Sequence, residues 1–117
     1  MSIRRIGVGP RMSQAVVHGD TVYLAGQVAV QAAGKTVAEQ TKDIVRQIDA
    51  LLAKAGTDKT KLLSTNIYLA DMATFAEMNS VWDGWVASGD TPARATVEAK
   101  LAAPQYTVEI ACIAAKS

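Results

Sequence analysis

Hydrophobic and polar residues alternate with two different periods along the chain, and the first third has the period of β-strands. Apolar runs at residues 15–18 and 21–25 flank Gly19-Asp20, a two-residue pair typical of a hairpin turn. Gly26 closes the second run at a predicted bend or bulge, after which residues 27–30 continue the strand. The opening of the chain therefore predicts an antiparallel hairpin.

Helical periodicity begins at Val37 and ends at Ala55, and Gly56 then stands where a left-handed C-terminal cap belongs. The apolar stripe consists of Val37, Thr41, Ile44, Val45, Ile48, Leu51, Leu52 and Ala55, and the polar face of Lys42, Asp43, Arg46, Gln47 and Asp49. Asp71 has the position of an N-cap for a second helix from Met72 to Val86. The second stripe consists of Phe75, Met78, Val81, Trp82, Trp85 and Val86, with Asn79 beside it.

Strand periodicity returns at residues 61–70, 91–101 and 106–114, and residues 3–6 are a candidate for one further short strand. In the 91–101 strand, Ala93, Ala95, Val97, Ala99 and Leu101 form a face suited to a core, and Arg94, Thr96, Glu98 and Lys100 form a polar face. Two helices and six strands predict an α+β fold in which both helices cover one face of a sheet. The other face is too apolar to remain fully exposed, so we expect a homo-oligomer.

Length, charge and composition narrow the class of protein. The chain has 117 residues, which suits one domain over 1–117, and a soluble cytoplasmic protein is expected because no membrane-spanning run or signal-peptide pattern is found. The 12 basic and 11 acidic residues give a net charge of +1 and no basic footprint for nucleic acid. With one cysteine and one histidine, the chain lacks the ligands of an ordinary zinc site.

Two charged residues are the first candidates for chemistry. Arg94 stands at the entrance of its strand, where its guanidinium can clamp a planar carboxylate or simply be a solvated side chain. Glu109 lies among apolar and small residues, where a carboxylate is costly unless it is paired, hydrogen-bonded or functional; exposure on an edge strand is the alternative. Gly26 is a bulge or a close approach to a ligand, and Asn79 is a structural bridge or a site residue.

These residues stand within motifs of a known family. Pro92-Ala93-Arg94-Ala95-Thr96-Val97, followed by Val108-Glu109-Ile110, resembles the C-terminal signature of the RidA/YjgF family, also called the endoribonuclease L-PSP family. Ala25-Gly26-Gln27 and the segment from Asp71 to Asn79 agree as well, so the resemblance spans nearly the whole chain. It implies a chorismate-mutase-like α+β fold, with a six-stranded mixed sheet and two helices on one face, assembled as a homotrimer with clefts between subunits.

The resemblance also implies a function. Catalytic members of the family hydrolyse reactive enamine and imine acids to 2-keto acids and ammonia without a cofactor. Carried over by position, Arg94 would bind the substrate carboxylate, Glu109 would activate the attacking water, and Gly26, Asn79 and Thr96 would line the cleft. The implied partners are a small imino or keto acid and further copies of the chain; no cofactor, metal, nucleic acid or membrane is expected.

The chain departs from the family pattern at three positions. Met12 stands where catalytic members carry a tyrosine, Ala25 where many carry a serine, and Thr96 where some carry a cysteine. These changes remove polar groups from the implied cleft and mark a divergent member. A non-catalytic trimer that binds or senses keto acids is therefore the alternative to a deaminase, whereas the neutral charge disfavours a ribonuclease.

Overall fold

The computed structural model describes residues 1–116, which form seven strands and two α-helices. The strands are β1 (Ile3–Val8), β2 (Ser13–His18), β3 (Thr21–Leu24), β4 (Gln27–Val28), β5 (Leu62–Leu69), β6 (Ala93–Glu98) and β7 (Val108–Ala115); the helices are α1 (Val37–Lys54) and α2 (Phe75–Trp85). Short 3-10 segments at Lys59–Lys61 and Met72–Thr74 precede β5 and α2. Every predicted element is present, and the candidate strand at residues 3–6 is part of β1.

The strands form one mixed sheet in the order β1-β2-β3-β7-β5-β6, and β4 pairs with β7 beside this path. Neighbouring strands are antiparallel except β5 and β6, which are parallel and are connected through α2. The path contains the six strands expected from the sequence, and the two-residue β4 is the addition.

Both helices pack on the same face of this sheet and enclose the core with it. Burial alternates along β7, where the buried positions are Val108, Ile110, Cys112 and Ala114. These residues share one apolar cluster with Ile48 of α1 and Met78 of α2. We call this side of the sheet the helix face and the opposite side, which the described helices leave uncovered, the open face.

The helix termini lie close to their predicted positions. Gly56 has a φ of +83° just beyond α1, so it is the left-handed residue expected there. Asp71 Oδ1 accepts a hydrogen bond from the backbone N of Ala73 at 2.9 Å, which caps the 3-10 segment, and α2 itself begins at Phe75 rather than at Met72. Within residues 1–116, neither helix combines the length and the apolar character needed to cross a membrane.

The two faces of β6 are the reverse of those predicted. Arg94 and Thr96 pair in register with the buried residues Thr65 and Ile67 of β5, so they lie on the helix face. The exposed residues of the strand are Ala93, Ala95, Val97 and Glu98, and the first three lie on the open face. The prediction that this alanine-rich side enters the core is wrong, because α2 packs over the side that carries Arg94.

The predicted polar face of α1 is wrong at Asp43, which is buried. Its Oδ2 accepts hydrogen bonds from the backbone N of Gln31 and of Ala32 at 3.0 and 3.1 Å, and Arg46 forms an ion pair with its Oδ1. A buried carboxylate is tolerated when such donors replace water. Asp43 therefore ties the loop after β4 to α1.

Candidate functional site

Three side chains of α2 hold the guanidinium of Arg94. Its Nη1 donates a hydrogen bond to Oδ1 of Asn79 at 2.8 Å, and its Cζ lies 5.7 Å from the ring centroid of Phe75 and 5.3 Å from that of Trp82. These partners are three or four residues apart along the helix, so they share one of its faces. The half-buried guanidinium is thereby oriented and retains N–H donors for a further ligand.

The contacts around Arg94 decide between the two interpretations of Asn79. The Asn79 amide oxygen accepts its hydrogen bond from the guanidinium rather than from a backbone group, so the residue orients Arg94. The aromatic rings add cation–π attraction, which contributes about 0.5–2 kcal/mol per ring depending on desolvation. The solvated strand face that was the alternative for Arg94 does not describe this arrangement.

Thr96 follows Arg94 on the same side of β6. Its Oγ1 is buried and finds no hydrogen-bond partner within residues 1–116. An unpaired buried hydroxyl costs on the order of 1–3 kcal/mol, so natural proteins rarely keep one without a reason. Thr96 is thus an unsatisfied polar group on the same face of β6 as Arg94.

Glu109 lies on the open face in the interior of the sheet. It pairs with Val28 of β4 on one side and with Tyr68 of β5 on the other, so the edge-strand alternative is wrong. A Cβ built onto Gly26 would lie 2.2 Å from Glu109 Oε2 and 2.9 Å from its Cδ. The carboxylate therefore occupies space that any residue other than glycine would fill, so Gly26 is a position of close approach to the Glu109 side chain.

A glutamine cluster fixes the backbone on either side of Gly26. Gln27 Nε2 donates hydrogen bonds to Oε1 of Gln14 and to the carbonyl of Ala25, both at 3.0 Å. Gln47 of α1 donates from its Nε2 to the carbonyl of Val28 at 3.0 Å and to Oε1 of Gln27 at 3.3 Å. This cluster was not predicted from the sequence, although two glutamines stand at positions of β4 and α1 that face each other in the fold.

The five predicted site residues form two groups. Arg94, Asn79 and Thr96 lie together on the helix face, and we call them the arginine half-site; Gly26 and Glu109 lie together on the open face, and we call them the glutamate half-site. The strand register shows this separation. Tyr68 pairs with both Glu109 and Val97, so these three residues share the open face, whereas Thr96 pairs with Ile67 on the helix face. In one chain, the two half-sites face opposite sides of the sheet.

Two of the described cavities lie outside both half-sites. A cavity of about 700 Å³ lies past the end of β6 and is lined by Glu98, Lys100 and Tyr106 among others. Another of about 310 Å³ adjoins the glutamine cluster. Both lack all five predicted site residues.

Other reactive groups are placed away from both half-sites. Cys112 lies on the helix face of β7, where burial raises the pKa of its thiol to about 11, so it is an unreactive thiol at neutral pH. In the part of the chain that the structure describes, no group of three or more His, Cys, Asp and Glu side chains is placed to hold a metal ion. The chemistry available at the half-sites is that of a carboxylate, a guanidinium and hydrogen-bonding groups.

Comparison with known proteins places this arrangement in a family. Residues 3–116 match the family described as Endoribonuclease L-PSP. A RutC family protein of Haemophilus influenzae is 46% identical over 97% of this chain and 98% of its own length, and the RutC family protein YoaB of Escherichia coli is 43% identical over 98% and 99%. The crystal structure of a YjgF family member from Neisseria meningitidis is 51% identical, covers 100% of this chain and 97% of its own, and superposes with a TM-score of 0.97.

Proposed function

This chain belongs to the endoribonuclease L-PSP family, which includes the YjgF and RutC proteins, and has its chorismate-mutase-like α+β fold; we propose that it hydrolyses reactive 2-imino and enamine acids to 2-keto acids and ammonia. The observation that carries the proposal is that the chain holds both an oriented guanidinium and a carboxylate that a glycine accommodates. The first suits a substrate carboxylate, and the second suits a water molecule.

Arg94 binds the substrate in this proposal. One N–H of the guanidinium is engaged by Asn79, and the remaining donors form a planar fork that matches a carboxylate. In a 2-imino acid the electrophilic carbon is bonded directly to the carboxylate carbon. Clamping the carboxylate therefore fixes the reacting carbon, and such orientation can lower the barrier by several kcal/mol, up to about 7–11 in the best intramolecular cases.

Glu109 activates the water in this proposal. The water oxygen forms a bond to the imine carbon, one of its protons passes to the Glu109 carboxylate, and the C=N electron pair moves to nitrogen, which takes up a proton. The resulting carbinolamine then loses ammonia as its C–N bond breaks and its hydroxyl becomes the keto oxygen. Reactants and products balance as imine plus water to ketone plus ammonia, with no net oxidation or reduction.

The position of the half-sites on opposite faces supports a site built from two chains. We propose a homotrimer in which the open face of one copy, with Glu109, covers the arginine half-site of its neighbour. The open face presents the small exposed residues Ala93 and Ala95 together with Val97 and Tyr23, an apolar surface that association would remove from water.

The family description also names an endoribonuclease, and the charge distribution favours the deaminase. RNA-binding surfaces concentrate Lys and Arg, whereas this chain has 12 basic and 11 acidic residues. The groups at both half-sites suit one small carboxylate and one water molecule better than a polyanion.

The test is ammonia release from imines generated in situ by an amino-acid oxidase or a dehydratase, across several amino-acid precursors. Arg94→Ala is expected to abolish the acceleration, and Glu109→Gln is expected to lower kcat while pyruvate binding is retained. Arg5→Ala on the edge strand β1 and Glu39→Gln at the start of α1 are charge-matched controls that should behave as wild type.

Pyruvate binding by wild type without imine hydrolysis would contradict the deaminase and favour the keto-acid-binding trimer instead. Equal hydrolysis rates in wild type and Arg94→Ala would contradict the carboxylate clamp.

A further inference from the structure

Tyr68 is the side chain directly beside Glu109 on the open face. It is opposite Glu109 in the antiparallel register of β5 and β7, and it is half-buried. Residues paired in this way have Cβ atoms about 4.5–5.5 Å apart and project to the same side. The Tyr68 and Glu109 side chains are therefore neighbours on the open face.

Small residues surround Glu109 on the sides away from Tyr68. The Glu109 carboxylate leans toward Gly26, on the β4 side and away from Tyr68. The next position of β7 on this face is Ala111, which pairs with Asn66 of β5. Gly26 and Ala111 are thus small neighbours of Glu109 on the open face, and neither carries a polar side chain that could bind the carboxylate.

Tyr68 is also distinguished by chemistry. Apart from Glu109 itself, it is the one titratable side chain that β4, β5 and β7 place on the open face, since Cys112 is buried on the helix face. A tyrosine hydroxyl both donates and accepts hydrogen bonds and needs a partner wherever it is partly buried. No such partner is observed for its hydroxyl among the hydrogen bonds of residues 1–116.

We propose that the Tyr68 hydroxyl is a second polar group of the glutamate half-site and that it positions the attacking water together with Glu109. The water donates one hydrogen to the carboxylate and the other to the phenol oxygen, which leaves an oxygen lone pair directed at the imine carbon. This role rests on the proposed imine hydrolysis. It makes Tyr68 a group that acts on the rate and not on carboxylate binding.

Tyr68→Phe tests this because it removes the hydroxyl and keeps the ring. We expect kcat for imine hydrolysis to fall about tenfold, the loss of one hydrogen bond to the reacting water, with KM, the inhibition constant of pyruvate and the Tm unchanged. Tyr23→Phe is the matched control, because Tyr23 lies on the same face but opposite Ile113, four residues further along β7. This control should retain wild-type kcat.

A double variant separates water positioning from a structural role. If Tyr68 and Glu109 hold the same water, Tyr68→Phe/Glu109→Gln should be no slower than Glu109→Gln alone. Additive losses, a wild-type rate for Tyr68→Phe, or a lower Tm with weaker pyruvate binding would each overturn the role of Tyr68 while leaving imine hydrolysis intact. A wild-type protein without imine hydrolysis would overturn the proposed function and this role together.

Discussion

The arginine half-site and the glutamate half-site hold their charged groups by different means. Arg94 is held by contact, through an amide oxygen at 2.8 Å and two aromatic rings, all from α2. The Glu109 carboxylate instead occupies the volume that a side chain at position 26 would fill, so its position depends on the glycine there. The first arrangement is complete within one chain. The second leaves its carboxylate on an uncovered sheet face, so the two together suggest a site that a neighbouring copy closes.

Among substitutions that leave Arg94 and Glu109 themselves in place, the largest effect is expected at Gly26, whose missing Cβ makes room for the Glu109 carboxylate. Gly26→Ala would place a Cβ 2.2 Å from Glu109 Oε2 and push the carboxylate aside. Displacing a catalytic group by about 1 Å can cost on the order of 100-fold, so we expect kcat/KM for imine hydrolysis to fall by about that factor. The Tm should change little, because the φ of Gly26 is not in the positive region.

Gly84→Ala is the matched control for this substitution. Gly84 lies within α2, and a Cβ there would meet nothing within 4 Å. Its activity should equal that of wild type, and its stability should rise slightly because alanine is the better helix former. An active Gly26→Ala protein would show that the position of Glu109 does not matter for the rate.

A smaller loss of activity is expected when the hydrogen bond between Asn79 and Arg94 is removed. Asn79→Ala removes the hydrogen bond that orients the guanidinium but leaves the rings of Phe75 and Trp82 in place. We expect KM to rise about tenfold with a modest change in kcat, since carboxylate binding and not water activation is impaired. Ser80→Ala, one residue further along α2, is the control, and steady-state kinetics of both variants measure the difference. A loss confined to kcat would place Asn79 in the chemical step instead.

The smallest effect is expected at Thr96, where a substitution should raise the stability of the protein and weaken pyruvate binding. Thr96→Val replaces a buried hydroxyl without a partner in residues 1–116 by a methyl group, so the free energy of unfolding should rise by about 1 kcal/mol. Pyruvate binding should weaken a few-fold if the hydroxyl serves a ligand. Thr41→Val is the control, because Thr41 Oγ1 donates to the Val37 carbonyl at 2.7 Å and its loss should not stabilise the protein. Unchanged binding in a stabilised Thr96→Val would remove Thr96 from the site.

Local periodicity was enough to predict the order of elements. The helical repeat before Gly56 and the hairpin pair Gly19-Asp20 each depend on residues close together in the chain, and both are confirmed. β4 was not predicted as a separate strand, because two residues are too few to show a periodic pattern. The single domain over residues 1–117, the homotrimer and the cytoplasmic location stay predictions.

Which face of β6 is covered could not be predicted from its own pattern. Alternation separates Arg94 and Thr96 from the alanines but does not say which side meets a helix. That choice depends on Phe75 and Trp82, whose rings accept a guanidinium as well as an aliphatic side chain. The burial of Asp43 could not be predicted for a related reason, because its backbone partners lie outside α1, in the loop that precedes the helix. The residue pattern alone made Arg94, Glu109, Gly26 and Asn79 candidates, the resemblance gave them roles and added Thr96, and their division between two faces required the structure.

The most direct measurement of the divided site is complementation between two impaired variants. Arg94→Ala retains the glutamate half-site and Glu109→Gln retains the arginine half-site, so a cleft between one copy of each can contain both intact groups. After the two proteins are unfolded, mixed in equal amounts and refolded together, random assembly should restore about one quarter of the wild-type rate of imine hydrolysis. A mixture that is no more active than the two separate proteins would contradict a site shared between chains.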